Sequence, residues 1–343
     1  MEEFRETATV SRPDLHQTLA AAATPTQPAV PAMSVVVPLY NESGSLNLLH
    51  ERLCGVLDAL PLARREIVFV DDGSRDTTFA EVAALCLRDP TIKAIRFARN
   101  FGKEAAMAAG LRAATGDVIV LMDGDLQHPP ELIPEMLERW HKGARMVTAV
   151  RRSRDTDPWL RRKLSQAFYG LFRRVSEVAL TEGGGDYRLF DRTVVDAINS
   201  LPERTRFMKG ITSWVGFRHE QVDFEPAERA AGASAWSMWR LGRYALDGLS
   251  AFSTLPLRVW SLIGLGMAAL SGAYGGWLVL RTMIWGVDVP GYASIMVAVL
   301  FMSGIQLISL GVLGEYVGRI FTEVKARPLY LVAERLGFEE PRR

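Results

Sequence analysis

The stretch VIVLMDGDLQHPPE, residues 118–131, decides the fold. Val118 to Met122 is continuously apolar and too short for a helix, as a strand covered on both faces would be. The run then breaks into Asp123, Gly124 and Asp125. After Leu126, Gln127 and His128, the pair Pro129 and Pro130 supplies a turn and the start of the next helix. Carboxylates that come directly after a buried strand lie just past its C-terminal end. That edge is where open α/β sheets bind ligands.

The same arrangement recurs upstream. Ser34 to Pro38 reads as a strand that runs into Leu39, Tyr40, Asn41 and Glu42, and Glu66 to Asp71 as one that runs into Asp72, Gly73 and Ser74. Ile92 to Phe97 is a further apolar strand. Between these runs, Leu46, Leu49, Leu53, Val56 and Leu57 recur at helical spacing, as do Phe79, Val82, Ala83 and Cys86. Asp76 is the expected N-cap of the second helix, with Ser74 as competitor. Strands alternating with helices predict a mostly parallel sheet with helices on both faces. A single Asp after a strand is usually a turn or cap residue. Three acidic clusters at one sheet edge instead point to a ligand site.

Asp123 and Asp125, one small residue apart, let two carboxylates approach one hard cation, with Gly124 leaving room for a diphosphate. Mg²⁺ takes one or two protein carboxylates and completes its octahedron with water and phosphate oxygens. Mn²⁺ suits the same oxygen donors. Gln127 offers an amide oxygen as third ligand, and His128 is either part of the site or merely structural.

Composition narrows the class. The formal charge of +1 gives no general case for a nucleic-acid partner. The two cysteines, Cys54 and Cys86, lie in apolar helical patterns and read as buried reduced thiols. Residues 1–32 combine an Ala run with several prolines and no apolar periodicity, as a disordered tail does, and lack the basic start of a secretory signal.

A second shift in composition begins near residue 257. Val259 to Leu280 and Val289 to Gly314 are uncharged, and each is long enough to cross about 30 Å of hydrocarbon. Joined by a short connector, they predict a transmembrane hairpin over 257–318, with helices near 259–281 and 289–314, followed by a tail over 319–343. Arg240, Arg243 and Arg258 precede it and Arg319, Lys325 and Arg327 come after it, while the connector holds only Arg281 against Asp288. The positive-inside rule then places the catalytic domain, 33–233, and both termini on the cytoplasmic face of the inner membrane, in a multi-pass protein. Residues 234–256, with Trp236, Trp239, Tyr244 and Phe252 among basic residues, suit a helix in the headgroup region. So does Trp159 to Leu180. An ordinary surface helix is the alternative for both.

At this point the segments VVVPLYNE, VDDGSRDTT, RNFGKEAA, MDGDLQHPPE, GDYRLFDR, RFMKGITSWVGF and GEYVGRIFTEVKARPLY resemble the polyprenyl-phosphate glycosyltransferases of glycosyltransferase family 2. They span almost everything from Ser34 to Tyr330, and the paired anchor helices are similar to the bactoprenol group. The resemblance implies a GT-A fold, a Rossmann-like α/β domain, that transfers a sugar, glucose by preference, from a UDP-sugar to polyprenyl (undecaprenyl) phosphate with Mg²⁺ or Mn²⁺. Mannose, N-acetylhexosamine and aminoarabinose are the other sugars of the group. It places Pro38, Tyr40, Asn41, Glu42, Asp71, Asp123 and Lys103 at the nucleotide sugar and Asp123, Asp125 and Gln127 at the metal. Asp72 braces the loop. Asp186 and Arg188 fall beside the reacting centre, with Asp125, as catalytic candidates; Asp186 serves either as a base or to orient groups. For the acceptor phosphate the candidates are Arg151, Arg152, Arg154, Arg162, Arg206 and Lys209, although a solvated basic loop explains the first four as well.

One departure stands out: the family's Ser-Lys before an aromatic is Ser234, Ala235 and Trp236 here. A processive polysaccharide synthase would carry Gln-x-x-Arg-Trp, but Met136 stands where the Gln would precede Arg139 and Trp140. An inactive membrane scaffold or a lipid-binding accessory protein is the reading from another class, and the intact aspartates oppose it. Glycines such as Gly264, Gly266, Gly272, Gly275 and Gly276 suit either packing within the hairpin or a homo-oligomer.

Overall fold

The structure is a computed structural model, and it describes residues 27–151, 184–204, 206–225, 255–285 and 291–338. Its centre is an eight-stranded sheet built from β1 (Ala32–Leu39), β2 (Arg64–Asp71), β3 (Ile92–Phe97), β4 (Val118–Leu121), β5 (Met146–Arg151), β6 (Gly184–Asp191), β7 (His219–Phe224) and β8 (Val332–Leu336). Their spatial order is β7-β5-β6-β4-β1-β2-β3-β8. The block β4-β1-β2-β3 is parallel, and β5 runs parallel to β7, whereas β6 and β8 are antiparallel to their neighbours.

Alternation within the buried strands divides the core in two. Val35, Val37, Ile67 and Phe69 face α1 (Leu46–Asp58), α2 (Thr78–Arg88) and α4 (Ile133–His141). Val36, Val68, Val70 and Ile119 face α3 (Lys103–Ala113), α5 (Arg192–Ser200) and α6 (Met208–Trp214). Each fully buried aliphatic or aromatic side chain contributes about 1.5–3 kcal/mol, so strands apolar on both faces are strongly held in the middle layer.

Several details differ from the sequence expectation. Helix α2 is capped at Thr77, one residue later than expected; Asp76 still accepts from the Thr78 N–H at 3.0 Å, while Ser74 Oγ accepts from the Asn41 N–H instead. Cys54 and Cys86 are free but only partly buried, because each lies at the flank of its helix's apolar face. Burial still pushes the Cys86 thiol up to about 11.

Two long helices come next, α7 (Leu255–Trp285) and α8 (Tyr292–Lys325), and they touch one another. Among the described residues, Phe301–Lys325 is long and apolar enough to cross a membrane. Helix α8 continues well past Gly314 into Glu315, Arg319, Glu323 and Lys325, so the segment from 319 is no simple tail: it completes the helix and then adds β8 to the sheet. The expected headgroup helices at 159–180 and 234–256 lie outside the described residues.

Candidate active site at the carboxyl edge of the sheet

Strand register brings the acidic clusters together. Leu39 pairs with Asp71 and Val36 with Leu121, so the ends of β1, β2 and β4 open on one edge. Antiparallel β6 enters the sheet where β4 leaves it, with Arg188 opposite Leu121, and this delivers Asp186 to the same place. Lys103, the first residue of α3, closes the cluster: its Nζ lies 2.6 Å from Asp123 Oδ1 and 2.5 Å from Asp186 Oδ2. Burial opposes the charge on Lys103, but the two carboxylates outweigh it and raise its pKa. Burial likewise works against the Asp186 carboxylate, and Lys103, Lys209 and Arg188 overcome it, holding Asp186 well below the usual carboxylate range.

The loops behind this edge are built by carboxylates used as backbone acceptors. Asp72 accepts from the N–H groups of Phe101 (2.7 Å) and Gly102 (2.9 Å), so it braces the loop that leads to Lys103. Gly73 has φ +69°, and a Cβ there would stand 2.6 Å from the Arg99 carbonyl carbon, so this turn requires glycine. Asp71, expected to line the nucleotide pocket, is 1 % exposed and accepts from the Ser74 N–H, with Arg96 Nε 3.7 Å away. Burial raises its pKa. Asn41 takes a left-handed φ of 56°, and its Oδ1 accepts from the Arg75 N–H, tying the β1 loop to the β2 loop. Glu42 donates its N–H to Thr78 Oγ1, and Tyr40 stands 43 % exposed at the mouth. Pro38 is partly buried at the end of β1.

Within DGDLQH, the reason for Gly124 is steric. A Cβ there would lie 2.5 Å from Leu39 Cδ2, so the glycine lets the end of β1 pack close against this loop. Ser45 Oγ donates to the Gly124 carbonyl at 2.9 Å, and the Gln127 N–H donates to Asp125 Oδ1 at 3.1 Å. His128 is structural: its Nδ1 accepts the Asp123 N–H at 3.1 Å and its ring stacks on Tyr187, 5.0 Å between centroids. Tyr187 in turn donates to the Pro129 carbonyl. The loop that presents Asp123 and Asp125 is thus clamped from both ends.

The basic candidates separate. Lys209, at the start of α6, is near enough to lower the pKa of Asp186. Arg188 is 5 % exposed and donates to the Gly185 carbonyl and to Thr212 Oγ1, so it shapes the β6 entry from behind. Arg206, expected at the acceptor phosphate, is 6 % exposed and donates to the carbonyls of Leu201 and Glu203, so its guanidinium is turned into the protein. Arg151 is the last residue of β5. Arg152, Arg154, Arg162 and Ala235 lie outside the described residues. Sequence reading missed Thr212, which carries no local signal, while of the two readings left open for His128 the structure shows the structural one.

For a divalent cation, the oxygen donors of Asp123, Asp125 and Gln127 fit Mg²⁺ or Mn²⁺ in kind, and the Lys103 ammonium beside Asp123 shows that the cluster accommodates positive charge. A second grouping lies at the opposite edge of the sheet, where His50, Cys54 and Asp89 place ligand atoms within 4.8 Å of one another. There the Arg65 guanidinium, 3.8 Å from Asp89, already supplies the positive charge.

Comparison with known proteins agrees with this geometry. The pattern of Glycosyl transferase family 2 matches residues 34–198, and that of the GtrB C-terminal hairpin matches 255–320. An uncharacterised glycosyltransferase of Synechocystis is 48 % identical over 90 % of this chain and 96 % of its own. The SfII prophage-derived bactoprenol glucosyl transferase of Shigella flexneri is 46 % identical over 88 % of this chain and 97 % of its own. A solved structure, the glucosyl-3-phosphoglycerate synthase of Mycobacterium tuberculosis with Mn²⁺, UDP and phosphoglyceric acid, matches at TM-score 0.43 and 18 % identity, over 63 % of this chain and 75 % of its own. So distant a likeness bears on neither ligand nor chemistry. A GT-A sheet with its acidic edge, a matching hairpin and relatives nearly half identical from end to end agree on one conclusion: the chain is a glycosyltransferase and belongs to glycosyl transferase family 2.

Proposed function

We propose that this enzyme transfers glucose from UDP-glucose to polyprenyl phosphate, giving a β-linked polyprenyl-phosphate glucose at the cytoplasmic face of the inner membrane. The observation that carries this reading is the union, in one chain, of the Asp123, Asp186 and Lys103 cluster with a hairpin of outward-facing apolar side chains. The likeness to bactoprenol glucosyl transferases supports the sugar and the acceptor. A lipid acceptor cannot leave the bilayer, so the site must be held beside it.

In the reaction an acceptor phosphate oxygen attacks the anomeric carbon, and the bond from that carbon to UDP breaks with inversion. Asp123, Asp125 and Gln127 would hold Mg²⁺ or Mn²⁺, which supplies charge stabilisation for the leaving diphosphate. Tyr40, Asn41 and Glu42 form the rim on which the nucleotide is received. Lys103 presents its ammonium between the two carboxylates and faces the donor phosphates. The acceptor phosphate is already ionised near neutral pH, so little proton abstraction is needed. Asp186, paired with Lys103, is a weak proton acceptor and orients that lysine. Lys209 adds positive charge on the acceptor side.

The multi-pass topology rests on the basic residues at the open end of the hairpin, Arg258, Arg319, Lys325 and Arg327, against Arg281 and Asp288 at its turn. The test uses the full chain in lipid nanodiscs with undecaprenyl phosphate and a panel of UDP-sugars. UDP-glucose with Mg²⁺ or Mn²⁺ yields a glycolipid, and a chelator stops it. Turnover that persists at full rate in chelator, or preference for another sugar nucleotide, contradicts the metal or the glucose assignment respectively.

A further inference from the structure

The chain that leaves the hairpin does not end there. After Lys325 it turns at Ala326, in a left-handed conformation, and runs back along the catalytic domain as β8, antiparallel to β3. The junction is fastened by the Arg204 N–H, which donates to Glu323 at 3.0 Å, and by Arg204 Nη1, which donates to the Arg327 carbonyl. Beyond it the Ala98 N–H donates to the Leu331 carbonyl at 2.9 Å, and the Tyr330 ring stacks on Phe97 with centroids 4.8 Å apart and planes within 13°. At the far end Phe338 receives Lys93 over its ring, 5.4 Å from the centroid.

Phe97 is the last residue of β3, and from it the chain enters the loop that ends at Lys103. Phe101 packs edge-on against Phe97 at 5.8 Å, and the Arg99 guanidinium lies over the Phe101 ring, 4.0 Å from its centroid. The Phe101 and Gly102 N–H groups are those held by Asp72, and the next residue is Lys103. One unbroken set of contacts therefore runs from the end of α8 through Tyr330, Phe97 and Phe101 to the ammonium between Asp123 and Asp186. We propose that residues 327–338 form a strap that positions the 99–103 loop, with Tyr330 as the positioning residue, so that the membrane anchor and the donor-facing lysine are set by one element. A strand added only to cover the edge of β3 would need pairing along 332–336. It would not need an aromatic ring seated on the residue from which the catalytic loop departs.

The test compares Tyr330→Ala and Tyr330→Phe in the full-length protein in nanodiscs, reading amide hydrogen exchange and UDP affinity in the presence of Mn²⁺. Loss of one aromatic pair predicts roughly a two- to tenfold rise in exchange at Phe101 and Gly102 in Tyr330→Ala, with UDP binding weakened by about the same factor. Tyr330→Phe, which keeps the ring, restores both. Unchanged exchange at Phe101 and Gly102 in Tyr330→Ala, with any effect confined to β8 and β3, overturns the strap. The exchange readout does not depend on the proposed donor or acceptor; only the choice of UDP as probe rests on that reading. If Tyr330→Ala does not accumulate folded, Tyr330→Leu keeps the apolar volume, loses the stack and carries the same two outcomes.

Discussion

The carboxyl edge of the sheet and the hairpin solve opposite solvation problems. At the edge, polar groups find their partners within the chain: Asp72 in two backbone N–H groups, Asp186 in Lys103, the Asp123 N–H in His128. In the hairpin, Leu270, Leu307 and Val324 are at least two-thirds exposed, with nothing among the described residues to cover them. Contiguous apolar surface of this kind marks contact with a membrane or another protein, and the match to the GtrB C-terminal hairpin favours the membrane. The difference teaches where each half gets its constraint: the site from internal hydrogen bonds and ion pairs, the anchor from the bilayer.

The comparison is broken most directly at the edge. Asp125→Asn should lower glycolipid formation by about a hundredfold or more, since one carboxylate of the metal set is lost, while the thermal transition of the catalytic domain stays in place. Initial rates with radiolabelled donor measure this, and near-normal turnover would remove Asp125 from the metal set. Next in size is a charge on the hairpin. Leu307→Arg should oppose insertion by about 3 kcal/mol, read as protein lost from the membrane fraction. Leu87, 90 % exposed on α2, is the control: Leu87→Arg should change domain stability by less than about 0.5 kcal/mol. Equal effects at the two leucines would erase the distinction between the regions.

A smaller effect concerns acid. Glu66, at the buried start of β2, has its charge opposed by burial, but Lys93 at 2.5 Å, Ser34 and Thr115 lower its pKa from 4.5 to about 2. Because the folded value is depressed, the stabilisation is fully present above about pH 4.5 and is lost as pH falls toward 2. It should amount to about 3 kcal/mol of domain stability, absent from the pH profile of Glu66→Gln in a denaturation series. Smallest is His128→Ala, expected to cost about 1–2 kcal/mol by leaving the Asp123 N–H without its acceptor and Tyr187 without its stacking partner. Calorimetry on that variant reads the value, and no change would mean the clamp is idle.

How much of this was legible in the sequence depends on the range of the interactions. Runs such as Ile92 to Phe97 announce themselves, because a strand buried on both faces must be continuously apolar. The strand-end position of Asp123 and Asp125 obeys the same logic. What escaped depends on contacts far apart in the chain: Lys103 with Asp186, or Tyr330 with Phe97, where no local pattern shows which side chains will meet. Nor can one segment reveal that Leu39 of another strand packs within 2.5 Å of where a Cβ on Gly124 would stand. Arg206 looked available because charge in a sequence does not disclose burial.

The most direct measurement of the whole account is the fate of labelled glucose when the reconstituted enzyme is offered UDP-glucose with undecaprenyl phosphate in vesicles and, in the same tube, a water-soluble sugar-phosphate acceptor. The account predicts that label moves into the organic phase as an acid-labile lipid phosphate and that Asp125→Asn abolishes the transfer. Label that remains in the aqueous phase on the soluble acceptor, at a rate indifferent to the lipid, would contradict it.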